Sequence, residues 1–198
     1  MIHPTGLATH GLDVVQFLDF IECRPDEEKW ELIDGFALMM PPPTFGHQRI
    51  WGNLWRALND RLELAKPEWL AHFEIGIELP EYSRHRPEPD LMVVDAQTDL
   101  RQRYADRFYL VAEILSESDS PRILAAKLAY YQDHAFNQTI LFIEQDQISV
   151  RLFARHGTQW LERRLTAPDD RLDIDGIGPV CTLARLYRGA FANPHPSS

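Results

Sequence analysis

Glu113 sits inside an apolar run, FYLVAEIL over residues 108–115. In a strand, Tyr109, Val111, Glu113 and Leu115 share one face, and Phe108, Leu110, Ala112 and Ile114 share the other. Both faces are apolar, so the carboxylate has no easy route to water, and burying it unpaired is costly. The plainer alternative is a strand end where Glu113 reaches solvent or an arginine. Asp90 follows a proline and heads a second short run, DLMVVD over residues 90–95; taken alone, it is a polar residue at a strand start. Lys127 lies three residues after Leu124 and four before Tyr131, which places it within the apolar stripe of a predicted helix. A lysine there either runs its stem out to water or meets a buried carboxylate. That helix follows the Glu113 strand directly and packs back near it, so two carboxylates and one lysine converge. Like charges held together call for a cation between them, and oxygen donors of this kind suit Mg²⁺ or Mn²⁺. Asp90 and Glu113 are then expected to be metal ligands, with the carbonyl of Ile114 as a third. Lys127 is the charge-stabilising or base-assisting group. The chemistry of such a site is metal-assisted hydrolysis of a phosphodiester.

The elements that must position these residues are legible from periodicity. Residues 13–22 have helical spacing, with Asp13 as a cap. Residues 30–40 read as a hairpin turning at Asp34-Gly35, and Pro41-Pro42-Pro43 ends its second strand. Residues 46–64 form a long amphipathic helix with Ile50, Leu54, Leu58 and Leu62 in one stripe. Residues 69–79 alternate in their second half, as a half-exposed strand does. Ser120-Pro121 caps and opens the Lys127 helix, which runs to about His134. Residues 139–144 are a buried strand, and residues 148–155 and 160–165 form a hairpin around Gly157. Residues 169–175 look acidic and turn-like, and residues 182–191 form a short terminal helix. The predicted fold class is α/β or α+β, a mixed sheet flanked by helices. It is read as one domain over residues 1–198, with a loose leader at 1–12 and a disordered tail at 192–198.

The bulk numbers limit the function classes. A chain of 198 residues with 44% apolar content buries a sizeable core without staples. Two cysteines without metal-ligand spacing, Cys23 and Cys181, fit a reduced cytoplasmic thiol pair. No apolar stretch approaches a membrane span. The net charge of −10 argues against a protein that coats nucleic acid by bulk charge, but not against an enzyme with a local basic patch. Arg84-His85-Arg86, beside Asp90, is the loop best placed to grip DNA phosphates. Arg101, Arg103 and Arg107, and the pair Arg163-Arg164, read as solvated surface or smaller groups. Phe153 and Trp160, large and apolar in a polar hairpin, suggest a homodimer surface.

Three segments, in order and spacing, carry a resemblance: WELIDGFALMMPPPTFGHQRI, then RPEPDLMVV, then YLVAEILSESDSPRILAAKLAYYQDHAF followed by TILFIE. Together they span residues 30–144. The chain resembles the PD-(D/E)XK nuclease superfamily, and within it the Uma-two family of restriction-endonuclease-like proteins. Pro89-Asp90 matches the "PD" of the motif and Glu113 its acidic position. The usual lysine slot, two residues after the glutamate, holds Leu115; in this family the lysine is thought to have moved to the next helix, where Lys127 fits. The resemblance implies a restriction-endonuclease-like fold, Mg²⁺- or Mn²⁺-dependent cleavage of DNA, and places for Glu31 and His47 near the metal. The residues themselves leave alternatives: His47 is equally a capping or core histidine, and Glu31 equally an outward-facing strand residue. Ser116 either contacts the site or starts a turn, and Tyr130 and Tyr131 read as packing. Glu117 and Asp119 depart from the family by adding acids near the site. That departure and the acidic balance motivate a second hypothesis, a non-catalytic module that binds nucleic acid or protein. A third is a hydrolase of small phosphodiesters.

Overall fold

The computed structural model describes residues 11–99, 101–116 and 119–191. Helix α1, Val14–Glu22, is opened by the Asp13 capping box with Gln16. Strands β1, Lys29–Ile33, and β2, Phe36–Met40, form the hairpin. Its turn residues Asp34 and Gly35 have φ of 50° and 78°, the doubly left-handed geometry that suits an Asp-Gly turn. Helix α2, Phe45–Ala65, is capped by the Thr44 side chain and buries Ile50, Leu54, Leu58 and Leu62, the stripe expected from the sequence.

Strand β3, Trp69–Phe73, and the two-residue β4, Gly76–Ile77, replace the single strand expected over residues 69–79. The break falls at Glu74, whose φ of 44° no strand can hold. Strand β5 is Leu91–Asp95; β6, Tyr104–Ala105, pairs with β4. Strand β7, Leu110–Leu115, is buried throughout. Helix α3, Pro121–Asp133, follows with Ser120 as cap. Strands β8, Thr139–Glu144, β9, Val150–His156, and β10, Gln159–Leu165, continue the chain. Residues read as an acidic turn in fact form a hairpin, β11, Arg171–Ile174, with β12, Gly178–Thr182. Leu172 and Ile174 alternate inward there, with Arg171 and Asp173 facing out, a period of two hidden by the acidic composition. Helix α4, Leu183–Leu186, is shorter than the expected terminal helix. The predicted leader and tail fall, except for Gly11 and Leu12, outside the described residues.

The main sheet runs β10-β9-β8-β7-β5-β3, with β7 and β8 parallel and every other neighbouring pair antiparallel. This is the mixed sheet flanked by helices that the sequence predicts. The parallel pair requires a crossover, and α3 supplies it. Leu110, Ala112 and Ile114 join the core with the α2 stripe. Val111 and Leu115 join the core on the α3 side, with Tyr130, Tyr131 and Phe142. Glu113 shares that second face. Phe153 is 4% exposed within the same core, and Trp160 packs against it with its indole N–H on the Gln132 carbonyl. Phe153 is thus buried within the chain and Trp160 half-buried against it, so these two residues do not form the exposed apolar pair expected. Neither Cys23 nor Cys181 is in a disulfide. Among the described residues, no helix is long and apolar enough to cross a membrane.

Candidate active site

Register explains how Asp90 reaches Glu113. Strands β5 and β7 pair antiparallel with Leu91 opposite Ala112 and Met92 opposite Val111. Carried one residue further, that register sets Asp90 opposite Glu113 although the two are far apart in sequence. The Asp90 carboxylate is fixed from two sides: Oδ2 accepts the Ile114 N–H at 2.6 Å and Oδ1 lies 3.2 Å from His47 Nε2. Its carbonyl accepts the Trp51 indole N–H at 2.7 Å. His47 stands in the first turn of α2 and Trp51 one turn later, so α2 clamps Asp90 from one side and β7 from the other.

Glu31 arrives through a separate stitch. Leu32 and Arg86 form an antiparallel bridge, with N–H···O distances of 3.2 and 2.7 Å in the two directions. This ties the loop before Asp90 to β1 and brings Glu31 against α3. Glu31 is 3% exposed, so the outward-facing alternative fails. Lys127, 2% exposed, reaches between two strands: its Nζ lies 3.0 Å from Glu31 Oε1 and 3.2 Å from Glu113 Oε1. The Tyr131 hydroxyl donates to the same Glu113 oxygen at 2.5 Å. Tyr131 thus does more than the packing its position suggested; Tyr130 packs, and its hydroxyl has no hydrogen-bond partner among the described residues.

The electrostatics follow from burial. Loss of water raises the pKa of Glu113; the Asp90 and Glu31 charges raise it further, while Lys127 and the Tyr131 hydroxyl oppose the rise. Burial raises Glu31 likewise, again against Lys127. For Lys127 burial disfavours the charge, but Glu113 and Glu31 outweigh it and hold the pKa above the ordinary lysine value. Lys127 is therefore held in its charged form.

These residues open onto a cavity of about 800 Å³ between the hairpin and the ends of β5 and β7. Asp90, Glu113, Ile114, Lys127 and His47 all line it. Ser116 and Asp119 line it too, Asp119 accepting the Ser116 N–H at 2.7 Å and its hydroxyl at 2.9 Å. Ser116 thus both borders the site and starts a turn. Of the two added acids, Asp119 lies at the site, and Glu117 lies outside the described residues. Glu27, Glu28, Glu74 and Asp146 complete a rim where carboxylates outnumber the two lysines, Lys29 and Lys127. Both lysines are already paired, Lys29 with Glu74. Such a cavity attracts cations and repels a bare polyanion.

Among the described residues, no three His, Cys, Asp or Glu side chains are grouped to hold a metal by themselves. A set of two carboxylates and a main-chain carbonyl, as expected from the sequence, is consistent with that: Mg²⁺ ordinarily takes one or two carboxylates and keeps waters or substrate oxygens. The charges of Asp90 and Glu31 near Glu113 add to the effect of burial in raising its proton affinity, and a divalent cation beside Glu113 would relieve that. The donor chemistry fits the ion.

Within the basic loop, Arg84 stays exposed and Arg86 is buried. Arg86 is 8% exposed, pairs with Glu78 at 3.0 Å and covers the Tyr104 ring. The Arg84 guanidinium lies over the turn at Gly35, and His85 stacks on Tyr130 at 5.0 Å. These side chains fasten the loop to the body and leave Arg86 no free face for phosphate. Arg101 pairs with Asp99 and Arg107 covers the Phe136 ring.

Comparison with known proteins agrees with this fold. The profile of the Uma2 family, described as "Putative restriction endonuclease", matches residues 14–184, and the chain belongs to that family. Among solved structures, the chain is similar to the crystal structure of "a putative nuclease belonging to DUF820" from Anabaena variabilis. The two are 17% identical, with a TM-score of 0.72 over 91% of this chain and 100% of the other. At that identity the likeness is one of fold. No curated protein matches the chain.

Proposed function

We propose that this Uma2-family chain is a divalent-metal-dependent endonuclease that hydrolyses phosphodiester bonds of DNA. The observation that carries the reading is the meeting of Asp90, Glu113 and a buried Lys127 on one cavity, each delivered by a different element. Asp90, Glu113 and the Ile114 carbonyl would hold Mg²⁺ or Mn²⁺. When bound, such an ion polarises a phosphoryl oxygen and makes water a competent nucleophile near neutral pH. Lys127 supplies fixed positive charge where a phosphorane-like charge develops, oriented in advance by Glu31 and Glu113. His47 and the Ile114 N–H hold the Asp90 carboxylate in one orientation, so both act as positioning groups. Tyr131 does the same for Glu113.

The test is calorimetric titration of Mn²⁺ into the wild type and into Asp90→Ala, followed by nicking of supercoiled plasmid. Saturable binding that vanishes in Asp90→Ala, with nicking lost in Asp90→Ala, Glu113→Ala and Lys127→Ala, is the expected outcome. Loss of one preorganised charge lowers turnover by about 10²–10³. Undiminished nicking in all three variants would end the proposal. The acidic rim, Asp119 included, favours a second reading in which the same fold binds without cutting. DNA binding that needs no added metal and survives loss of the carboxylates is its signature.

A further inference from the structure

Arg86, in the loop expected to hold a phosphate backbone, is tied down by Glu78 and Tyr104, and the carboxylate cavity repels such a backbone. A nuclease of this kind needs a positive surface elsewhere, and the chain has one that the sequence did not reveal. A second cavity, about 720 Å³, lies along the outer face of α2 against the segment after α4. Arg49, Arg56 and Arg188 line it, and no aspartate or glutamate does. All three arginines are exposed, and none of their side chains forms a hydrogen bond or ion pair with a described residue. In a chain of net charge −10, three arginines without partners among the described residues, in a cavity that no described acid lines, concentrate positive charge.

The placement is built. Arg49 and Arg56 are seven residues apart on α2, hence two turns apart on one face, roughly 10 Å along the axis. Gly52 and Asn53 lie between them on that face and leave the cavity open. The Asn53 amide donates to the carbonyls of Leu186 and Arg188 at 2.9 and 3.0 Å, which fixes the Arg188 segment to the helix. Gly189 lies against the Arg49 stem, so Arg188 and Arg49 are neighbours across the cavity. Thr44 lines both this cavity and the carboxylate cavity, so the two adjoin at the start of α2. Phe45 stands at that junction, 93% exposed, with an aromatic face free to stack a base.

We infer that Arg49, Arg56 and Arg188 form the track that holds the phosphate backbone of a DNA strand whose next phosphate enters the carboxylate cavity past Thr44. This rests on the nuclease reading for the strand's destination, but not for its binding. Arginine suits the role because its planar fork meets phosphate oxygens in pairs and stays charged.

The test separates the two. Fluorescence anisotropy follows a labelled single-stranded 30-mer, without metal, binding to wild type, to R49Q/R56Q/R188Q, and to R101Q/R103Q/R107Q, which loses the same charge elsewhere. The track variant is expected to bind at least tenfold more weakly at low salt. Its plot of log affinity against log salt should flatten by roughly 2, as about 0.7 is lost for each phosphate contact removed on a single strand. The control variant should follow the wild type. Equal loss in both triple variants, or no measurable binding by the wild type, overturns the inference. Wild-type binding through these arginines with no cleavage of any strand supports the track and refutes the nuclease proposal.

Discussion

Replacing Lys127 with methionine should be among the most damaging single substitutions in this chain. The change keeps most of the side-chain volume and removes only the ammonium. Glu31 and Glu113 then remain with side chains 4% and 7% exposed and no cation between them. Removing one partner of a buried ion pair costs about 3–5 kcal/mol, because the other charge is left uncompensated. Here two charges are left, so the upper part of that range applies. For a chain of this length, about 2–4 °C of Tm is lost per kcal/mol, and the expected drop is roughly 10–20 °C. The sign with pH is fixed. Both glutamates have folded pKa values raised above the ordinary 4.5, and losing Lys127 raises them further. A group with a raised folded pKa favours the fold while protonated, and that contribution is lost as pH rises through the folded value. The Lys127→Met defect is therefore greatest near pH 8 and shrinks toward pH 5. Urea unfolding of wild type, Lys127→Met, Glu31→Gln and the double variant, at both pH values, reads the coupling directly. A defect below about 1 kcal/mol that does not change with pH would refute the buried-triad reasoning.

Two further outcomes follow from other parts of the fold. His134 stacks on Phe108 at 3.9 Å with Nε2 on the Asp106 carbonyl at 3.1 Å, and burial lowers its pKa from 6.5. The unfolded chain then binds the proton more tightly, so stability falls as pH drops below about 6.5; in His134→Gln that part of the pH dependence of urea midpoints should flatten, and an unchanged slope would contradict it. Asn59 closes the outer edge of β3: its Oδ1 accepts the Ala71 N–H at 3.0 Å and its Nδ2 donates to the Ala71 carbonyl at 3.3 Å. Asn59→Leu should cost about 1–3 kcal/mol for two lost hydrogen bonds and expose a pairing edge, so light scattering should detect self-association that the wild type lacks.

The site was legible to the degree that burial and charge conflict within a periodic segment. Glu113 in an apolar strand and Lys127 in an apolar helix stripe each break a local pattern, and each carries the site. Asp90 breaks no pattern, and its place depends on the β5–β7 register, which only the fold supplies. Glu31 was ambiguous because its burial comes from the Leu32–Arg86 bridge, a contact between segments 54 residues apart in number. Tyr131 gave no signal beyond packing, since a tyrosine in a core stripe is ordinary whichever way its hydroxyl points. The same limit explains the arginines. Adjacent basic residues drew notice at 84–86, where Arg86 is consumed by Glu78 and Tyr104. Arg49, Arg56 and Arg188 are isolated in sequence, and only helix geometry and the Asn53 tether bring them together.

The displaced lysine has a physical explanation in this fold. Leu115, in the strand position where a motif lysine is expected, lies on the same face of β7 as Glu113 and is 6% exposed within the α3-side core. A lysine there would carry its charge into apolar packing formed by Val111, Tyr131 and Phe142. Lys127 approaches from across that face, on the helix that the β7–β8 crossover must place there, and its Nζ reaches Glu113 from above the strand. From that side it also meets Glu31 on β1, which a strand lysine has no need to do. Moving the cation to α3 therefore couples the hairpin, the central strand and the crossover helix through one ammonium. In this architecture the charge that would serve phosphate chemistry also fastens together the elements that define the cavity, so variants at Lys127 must be judged on folding and on cleavage separately.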